Sequence, residues 1–242
     1  MQEQPSANPG PGAGNTATIP VQKLEQDFYD WHARHQDKCR EAANGNHDLV
    51  FIGDSITHLF AGDPNIPGRG ECIWQEYYGK RNAMNLGFGW DRTQNVLWRL
   101  AHGEFAGQKP RLVVILIGTN NLTGTANAPT NTPAEIVEGI QAVCRLVAGA
   151  SGESRILLMG IFPRGAANDP LRARVREANA LLQERAGGWH GVEFLDIGSR
   201  FLSADGSIPA DIMNDGVHPT EKGYRIWAEA IEPVVRTEVD RR

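Results

Sequence analysis

No stretch of this sequence approaches the ~20 consecutive apolar residues that a membrane-spanning helix needs, so no membrane span is expected. Cysteine is scarce. Cys39, Cys72 and Cys144 are the only three. Their odd number excludes a fully paired disulfide framework, and no C-x-x-C offers metal-ligand spacing. Free buried thiols are the expectation, with a single Cys39–Cys72 bridge left open. Positive charge is not in excess: 24 Lys and Arg stand against 29 Asp and Glu, for a formal net charge of -5. That argues against a nucleic-acid partner and against a polybasic membrane surface. Also missing are the G-x-x-x-x-G-K-[S/T] of a phosphate cradle and the G-x-S-x-G of the usual α/β-hydrolase nucleophile turn. His32 and His35 lie three apart, but no third ligand follows, so they read as solvated or packing side chains. The residues imply neither a metal nor a cofactor.

What the chain does have is an ordinary globular composition, 40% hydrophobic and 22% charged over 242 residues. That suffices for one sizeable α/β domain. Residues 2–18 stand apart, rich in Pro, Gly, Ala, Asn and Ser without periodicity. The expectation is a flexible segment over 1–18 and one domain over 19–242. Such a lead-in fits a mature N-terminus whose export signal has been removed, for a periplasmic or secreted protein; a cytoplasmic chain is the alternative.

Apolar spacing predicts a helix over 21–43, carrying Leu24, Phe28 and Trp31. A short apolar run at 49–52 reads as a strand buried on both faces, followed by a short helix through Leu59. Residues 62–70 are a turn-rich loop, and 73–78 a helical turn or two. A weak strand at 83–86 leads to Gly87-Phe88-Gly89-Trp90-Asp91-Arg92. This nearly matches a dinucleotide fingerprint, but Arg92 occupies the third glycine position. A helix follows from Thr93. The strongest strand, 111–117, must be central. Helices from Pro133, over 170–186 and over 221–235 alternate with strands at 155–162 and 192–197. Five such alternations predict an α/β fold: a parallel sheet with right-handed crossovers and helices on both faces.

In such sheets ligands bind beyond the C-terminal strand ends. Ser55 follows the first strand, Gly89 and Trp90 the second and Asn120 the third, while Asp215 and His218 sit in the loop after the fifth. A serine hydroxyl needs a base to take its proton, and His218 is one. Asp215, three residues earlier on the same loop, can hold the imidazole tautomer. The Ser55 amide, the backbone at Gly89-Trp90 and the Asn120 side chain can serve a developing oxyanion. Each piece has a plainer reading. Asp54 or Ser55 is also a helix cap, Gly118-Thr119-Asn120-Asn121 an ordinary turn, and Asn214-Asp215-Gly216 a turn signal. Their convergence on one sheet edge, in the order Ser, Asp, His, favours the catalytic reading over a non-catalytic binding module.

Four blocks resemble those of the SGNH (GDSL-type) hydrolases: Gly53-Asp54-Ser55, Asn85-Leu86-Gly87-Phe88-Gly89, Gly118-Thr119-Asn120-Asn121 and Asp215-Gly216-Val217-His218. The strings Asn95-Val96-Leu97-Trp98-Arg99-Leu100, Pro163-Arg164-Gly165 and Asn168-Asp169-Pro170-Leu171-Arg172 are similar to the catalytic subunits of platelet-activating-factor acetylhydrolase isoform Ib. The resemblance runs over about residues 49–224. It implies a flavodoxin-like three-layer α/β/α hydrolase with a five-stranded parallel sheet, cleaving small acyl esters without a metal. It implies Ser55 as nucleophile, His218 as base and Asp215 as its orienter. The oxyanion hole falls at Ser55, Gly89, Trp90 and Asn120, with Asp54, Trp90, Asp91 and Asn121 as pocket candidates. A homodimer is among its implications. One position departs: the family usually has Gly immediately before Asp91, and Trp90 stands there. An indole at the mouth narrows an acyl pocket or stacks on a sugar, so the expected ester is a carbohydrate O-acetyl ester or a platelet-activating-factor-like lipid. Trp74 and Trp98 add to the sugar reading, although Trp98 at helical spacing reads as core.

Overall fold

The computed structural model describes residues 14–240. Its centre is a sheet of five strands: β1 (Leu49–Gly53), β2 (Ala83–Gly87), β3 (Leu112–Leu116), β4 (Arg155–Met159) and β5 (Val192–Leu195). All neighbours are parallel and the order is β2-β1-β3-β4-β5. β3 lies in the middle, as its unbroken apolar run requires. Ile52 registers with Leu86 on one side and Ile115 on the other, so the C-terminal ends of β1, β2 and β3 lie side by side.

Strand side chains alternate between two cores. Val50, Ile52, Val113 and Ile115 join one, covered by α4 (Thr93–Arg99), α5 (Pro133–Ser151) and α6 (Pro170–Arg185). Leu49, Phe51, Leu112 and Val114 join the other, against α3 (Glu71–Tyr78) and α7 (Glu221–Glu238). Each fully buried Leu, Ile, Val or Phe contributes about 1.5–3 kcal/mol. Trp74 and Trp227 are buried in the second core, which withdraws Trp74 from any role in stacking on a sugar. Trp98 is half-buried, stacked on His102.

Three expectations change. The first helix does not begin at Val21: α1 is Trp31–Ala43, capped by the Asp30 side chain, which accepts from Ala33 N at 2.9 Å. The residues before it are irregular and tied to α4 at Val21, with Val21 N donating to Gln94 O and Asn95 Nδ2 to Val21 O. Leu24 consequently faces solvent. Residues 14–18, expected within the flexible segment, are anchored: Ala17 is fully buried, and its carbonyl accepts from Thr93 Oγ1 at 2.7 Å. Residues 1–13, with most of the proposed lead-in, lie outside the described residues. β4 stops at Met159 rather than 162 because Asn179 of α6 takes over both backbone groups of Ile161.

All three cysteines are free. Cys144 is buried, Cys39 partly so, and Cys72 is exposed on α3, against the expectation of buried thiols. Among the described residues no helix is long and apolar enough to cross a membrane.

Candidate active site

The chain turns sharply where β1 ends. Gly53 is required there by close approach: a Cβ would strike the Leu116 carbonyl and the Thr57 hydroxyl. Gly87, at the matching end of β2, lies against the His58 backbone in the same way. This contact lets the short helix α2 (Ser55–His58) sit across the strand ends. Asp54 caps it, accepting from Ile56 N at 2.9 Å, and Ser55 is its first residue.

His218 reaches Ser55 from the far end of the sequence. Its Nε2 lies 2.8 Å from Ser55 Oγ, and its Nδ1 lies 2.8 Å from Asp215 Oδ2. The other carboxylate oxygen, Oδ1, accepts from Val217 N at 2.9 Å and His218 N at 2.7 Å. Gly216, at φ +74°, permits the tight turn between them. Partial burial works to raise the Asp215 pKa, but the two amides and the imidazole outweigh it and bring it down to about 2. An ionised carboxylate only accepts hydrogen bonds, so Nδ1 must donate, which leaves Nε2 of a neutral ring to take the serine proton.

The loop after β2 lies beside Ser55. Asp91 N donates to Phe88 O at 3.2 Å, closing a turn in which Trp90 is the third residue, at φ +59°. Such a turn needs φ > 0 at that position and ordinarily takes Gly there. The Gly89 carbonyl accepts from Tyr29 Oη at 3.2 Å, and in a trans peptide the following N–H, that of Trp90, points the opposite way. The turn is fixed from below. Asp91 is fully buried and accepts from Trp31 Nε1 at 2.8 Å and from Arg99 Nε at 2.6 Å. Arg99 also pairs with Glu104, which meets His35 Nδ1 at 2.7 Å. Burial raises the Asp91 carboxyl to about 6, with Arg99 pulling the other way. Asn120, on the 3₁₀ turn after β3 (Thr119–Leu122), donates from Nδ2 to Asp91 O at 3.0 Å. Its second amide hydrogen is left for another acceptor.

A cavity of about 520 Å³ opens onto this edge. Ser55, Asn120, Asp215, His218 and Trp90 line it, together with Phe28, Leu59, Ile66, Arg69, Thr123, Gly124, Thr125, Arg164 and Val217. Of the four predicted pocket residues only Trp90 is on the wall, with its side chain half exposed. Asp54, Asp91 and Asn121 are buried behind it: Asp54 and Asn121 hold backbone, and Asp91 holds the Trp31 and Arg99 side chains. Asn121, for example, accepts from Thr93 N at 3.1 Å and donates to Asn131 at 3.0 Å. Gly89 also lies behind the wall, where a Cβ would meet Asp27 Oδ2 at 2.6 Å.

A serine hydroxyl, an imidazole, a carboxylate and the Asn120 amide thus share one sheet edge and one cavity. Residues 51–226 match the GDSL-like lipase/acylhydrolase family. The chain belongs to that family. Subunit alpha1 of platelet-activating factor acetylhydrolase IB from Rattus norvegicus is 34% identical over 217 residues, 89% of this chain and 86% of the relative. Among solved structures, a GDSL-like lipase from Bacteroides thetaiotaomicron superposes with a TM-score of 0.67 at 18% identity, covering 85% of this chain and 98% of the other. An acetylxylan esterase from Geobacillus stearothermophilus does so at 0.59 and 21%, covering 82% and 96%. These two likenesses speak for the fold, and the family and its acetylhydrolase relatives make the chain an ester hydrolase.

In this GDSL-family site, sequence reasoning missed Phe28, Arg69 and Arg164. Phe28 was assigned to a helix that begins only at Trp31. Arg69 sits in a Gly- and Pro-rich loop and contacts Asp215, 146 positions away. No spacing rule reaches that far. Arg164 carried a signal, in Pro163-Arg164-Gly165 at the end of a strand, but that string served only as a mark of kinship.

Proposed function

We propose that this ester hydrolase is a serine esterase that releases acetyl or another short acyl group, with Ser55 as nucleophile, His218 as general base and Asp215 as the carboxylate that orients it. The observation that carries this reading is the unbroken chain Ser55 Oγ, His218 Nε2, His218 Nδ1, Asp215 Oδ2, with 2.8 Å at both links, opening on the cavity. Ser55 Oγ attacks the ester carbonyl as its proton passes to Nε2. The resulting oxyanion is met by the Ser55 N–H, the Gly89–Trp90 backbone and the Asn120 amide. Collapse of the tetrahedral intermediate expels the alcohol, which takes the proton from Nε2. Water, deprotonated by the same imidazole, then releases the acyl group from Ser55.

The short acyl group is supported by the indole of Trp90 at the mouth and by the acetylhydrolase and acetylxylan esterase among the chain's likenesses. Between the two substrate classes, the half-exposed Trp90 is a ready platform for a sugar ring and favours a carbohydrate O-acetyl ester over a lipid. Ser55→Ala tests the mechanism. Turnover of p-nitrophenyl acetate should fall by at least about a thousandfold, and turnover that persists rules out Ser55. Acetylated sugars set against phospholipid acetyl esters test the alcohol.

A further inference from the structure

Among the described residues, Arg164 is the one charged side chain of the cavity wall whose charge the site does not consume. Four charged or titratable side chains of the described residues line the cavity: Arg69, Asp215, His218 and Arg164. The first three are bound to one another, Arg69 Nη2 to Asp215 Oδ2 at 3.1 Å and Asp215 to His218 at 2.8 Å. Arg69 Nη1 is occupied as well, by Asn214 Oδ1 at 3.0 Å and by the carbonyls of His218 and Pro219.

Arg164 differs. Its Nη1 donates to Thr119 O and Thr119 Oγ1, both at 3.1 Å, which fixes the guanidinium beside the Asn120 turn. Among the described residues, no protein acceptor meets its Nε or Nη2. Asp169 and Asp54 act on its charge from nearby without a hydrogen bond to it. Asp169 is engaged in capping α6 through Leu171 N, and Asp54 in capping α2 through Ile56 N. The backbone that carries Arg164 is also held: Arg172 donates to the carbonyls of Arg164 and Gly165, at 2.8 and 2.6 Å. A half-buried guanidinium, clamped at one nitrogen and open at two, costs desolvation that an anionic ligand repays, and its planar fork suits a carboxylate or a phosphate.

The cavity's size says which part of the ester meets it. Allotting each of an acetyl group's three heavy atoms a water's share of about 30 Å³ leaves most of the 520 Å³ for the alcohol. We infer that Arg164 forms an anion subsite, and that the natural substrate is an ester whose alcohol portion carries a carboxylate or a phosphate. The inference rests on the serine-esterase reading of the same site.

The test compares matched esters in the full-length protein: O-acetyl glucuronic acid against O-acetyl glucose for the carboxylate, and acetyl glycerol 3-phosphate against glycerol monoacetate for the phosphate. We expect kcat/KM at least about tenfold higher for the charged member of one pair, the value of one charge-assisted hydrogen bond. The pair that shows it names the source of the anion. In Arg164→Gln that ratio should fall toward one, whatever happens to absolute turnover, and Arg164→Lys should restore part of it. Equal kcat/KM within both pairs, or a ratio unchanged in Arg164→Gln, overturns the subsite. Calorimetric binding of the same esters to Ser55→Ala, with and without Arg164→Gln, reads the preference without turnover. A failure of the esterase mechanism therefore leaves this second readout intact, and equal affinity within both pairs there overturns the subsite on its own.

Discussion

Arg69 Nη2 donates to Asp215 Oδ2 at 3.1 Å, the same carboxylate oxygen that meets His218 Nδ1. Through Nη1, Arg69 also holds Asn214 Oδ1 and the carbonyls of His218 and Pro219. One guanidinium from the loop before α3 thus ties down the whole turn that carries His218 and Asp215. Asp215 is substantially exposed, so without this clamp the turn depends on its own backbone bonds.

Arg69→Ala should therefore lower kcat/KM for p-nitrophenyl acetate by about tenfold or more, the worth of one hydrogen bond to a charged group. The loss should fall on kcat, because the clamp positions the base rather than the ester. Arg69→Lys should recover only part, since a single ammonium cannot span the carboxylate and two carbonyls from two nitrogens. Unchanged kinetics in the Ala variant would remove Arg69 from the positioning machinery.

Trp90 occupies a turn position at φ +59° that favours Gly. A non-Gly residue in the left-handed region carries about 1 kcal/mol of strain. Trp90→Ala keeps that strain and loses the indole, whereas Trp90→Gly loses both. Denaturant melts should place the Gly variant level with or above the Ala variant by up to about 1 kcal/mol. If the indole limits acyl length, both variants should also raise the ratio of butyryl to acetyl ester turnover. A ratio that stays at the wild-type value assigns the limit to another wall of the cavity.

Much of this arrangement was legible in the sequence, for identifiable reasons. The apolar run ending in Gly53-Asp54-Ser55 required a buried strand and a tight turn, and Asp215-Gly216-Val217-His218 placed a carboxylate and an imidazole on one short loop. Both are local signals, set by sterics and by short spacing. Residues whose roles depend on distant partners stayed hidden. Asp91 reads as a wall residue beside the site, yet Trp31 and Arg99 draw it into the interior. Phe28 sits at helical spacing from Trp31, but bonds between Val21 and α4 hold the preceding chain out of a helix, and Phe28 lies on the cavity wall. In both cases tertiary partners overrode the local pattern.

The buried pair Asp91–Arg99 underlies the Gly89–Trp90 turn, and both side chains have no exposed surface. Removing Arg99 takes the cationic partner from two buried carboxylates, Asp91 and Glu104, which costs about 3–5 kcal/mol. Arg99→Met should lose that much in denaturant unfolding. Asn120, whose amide is aimed by Asp91 O, can be tested without disturbing the pair. Asn120→Ala should lower kcat by about a hundred- to a thousandfold with little change in KM, the pattern of a donor used only in the transition state. A rise in KM at constant kcat would instead make Asn120 a substrate-binding residue.

Asp54 gives a prediction in pH. It is fully buried next to Ser55, and burial pushes its carboxyl up to about 7, with the Ile56 amide pulling the other way. In the unfolded chain an aspartate titrates near 3.9. Between about pH 4 and 7 the native state therefore holds a proton that the unfolded state has released. Stability contributed by this group is complete below pH 4, falls as pH rises to 7 and is constant above. Asp54→Asn keeps an oxygen to accept from Ile56 N and removes the titration. Its stability relative to wild type should be pH-independent below 4, climb through the window and level off above 7, by a few kcal/mol in all. Asp91, raised to about 6, is present in both proteins and largely cancels in the difference. Unfolding of the two proteins between pH 4 and 8 measures the climb, and parallel curves across that range would show that Asp54 is ionised throughout.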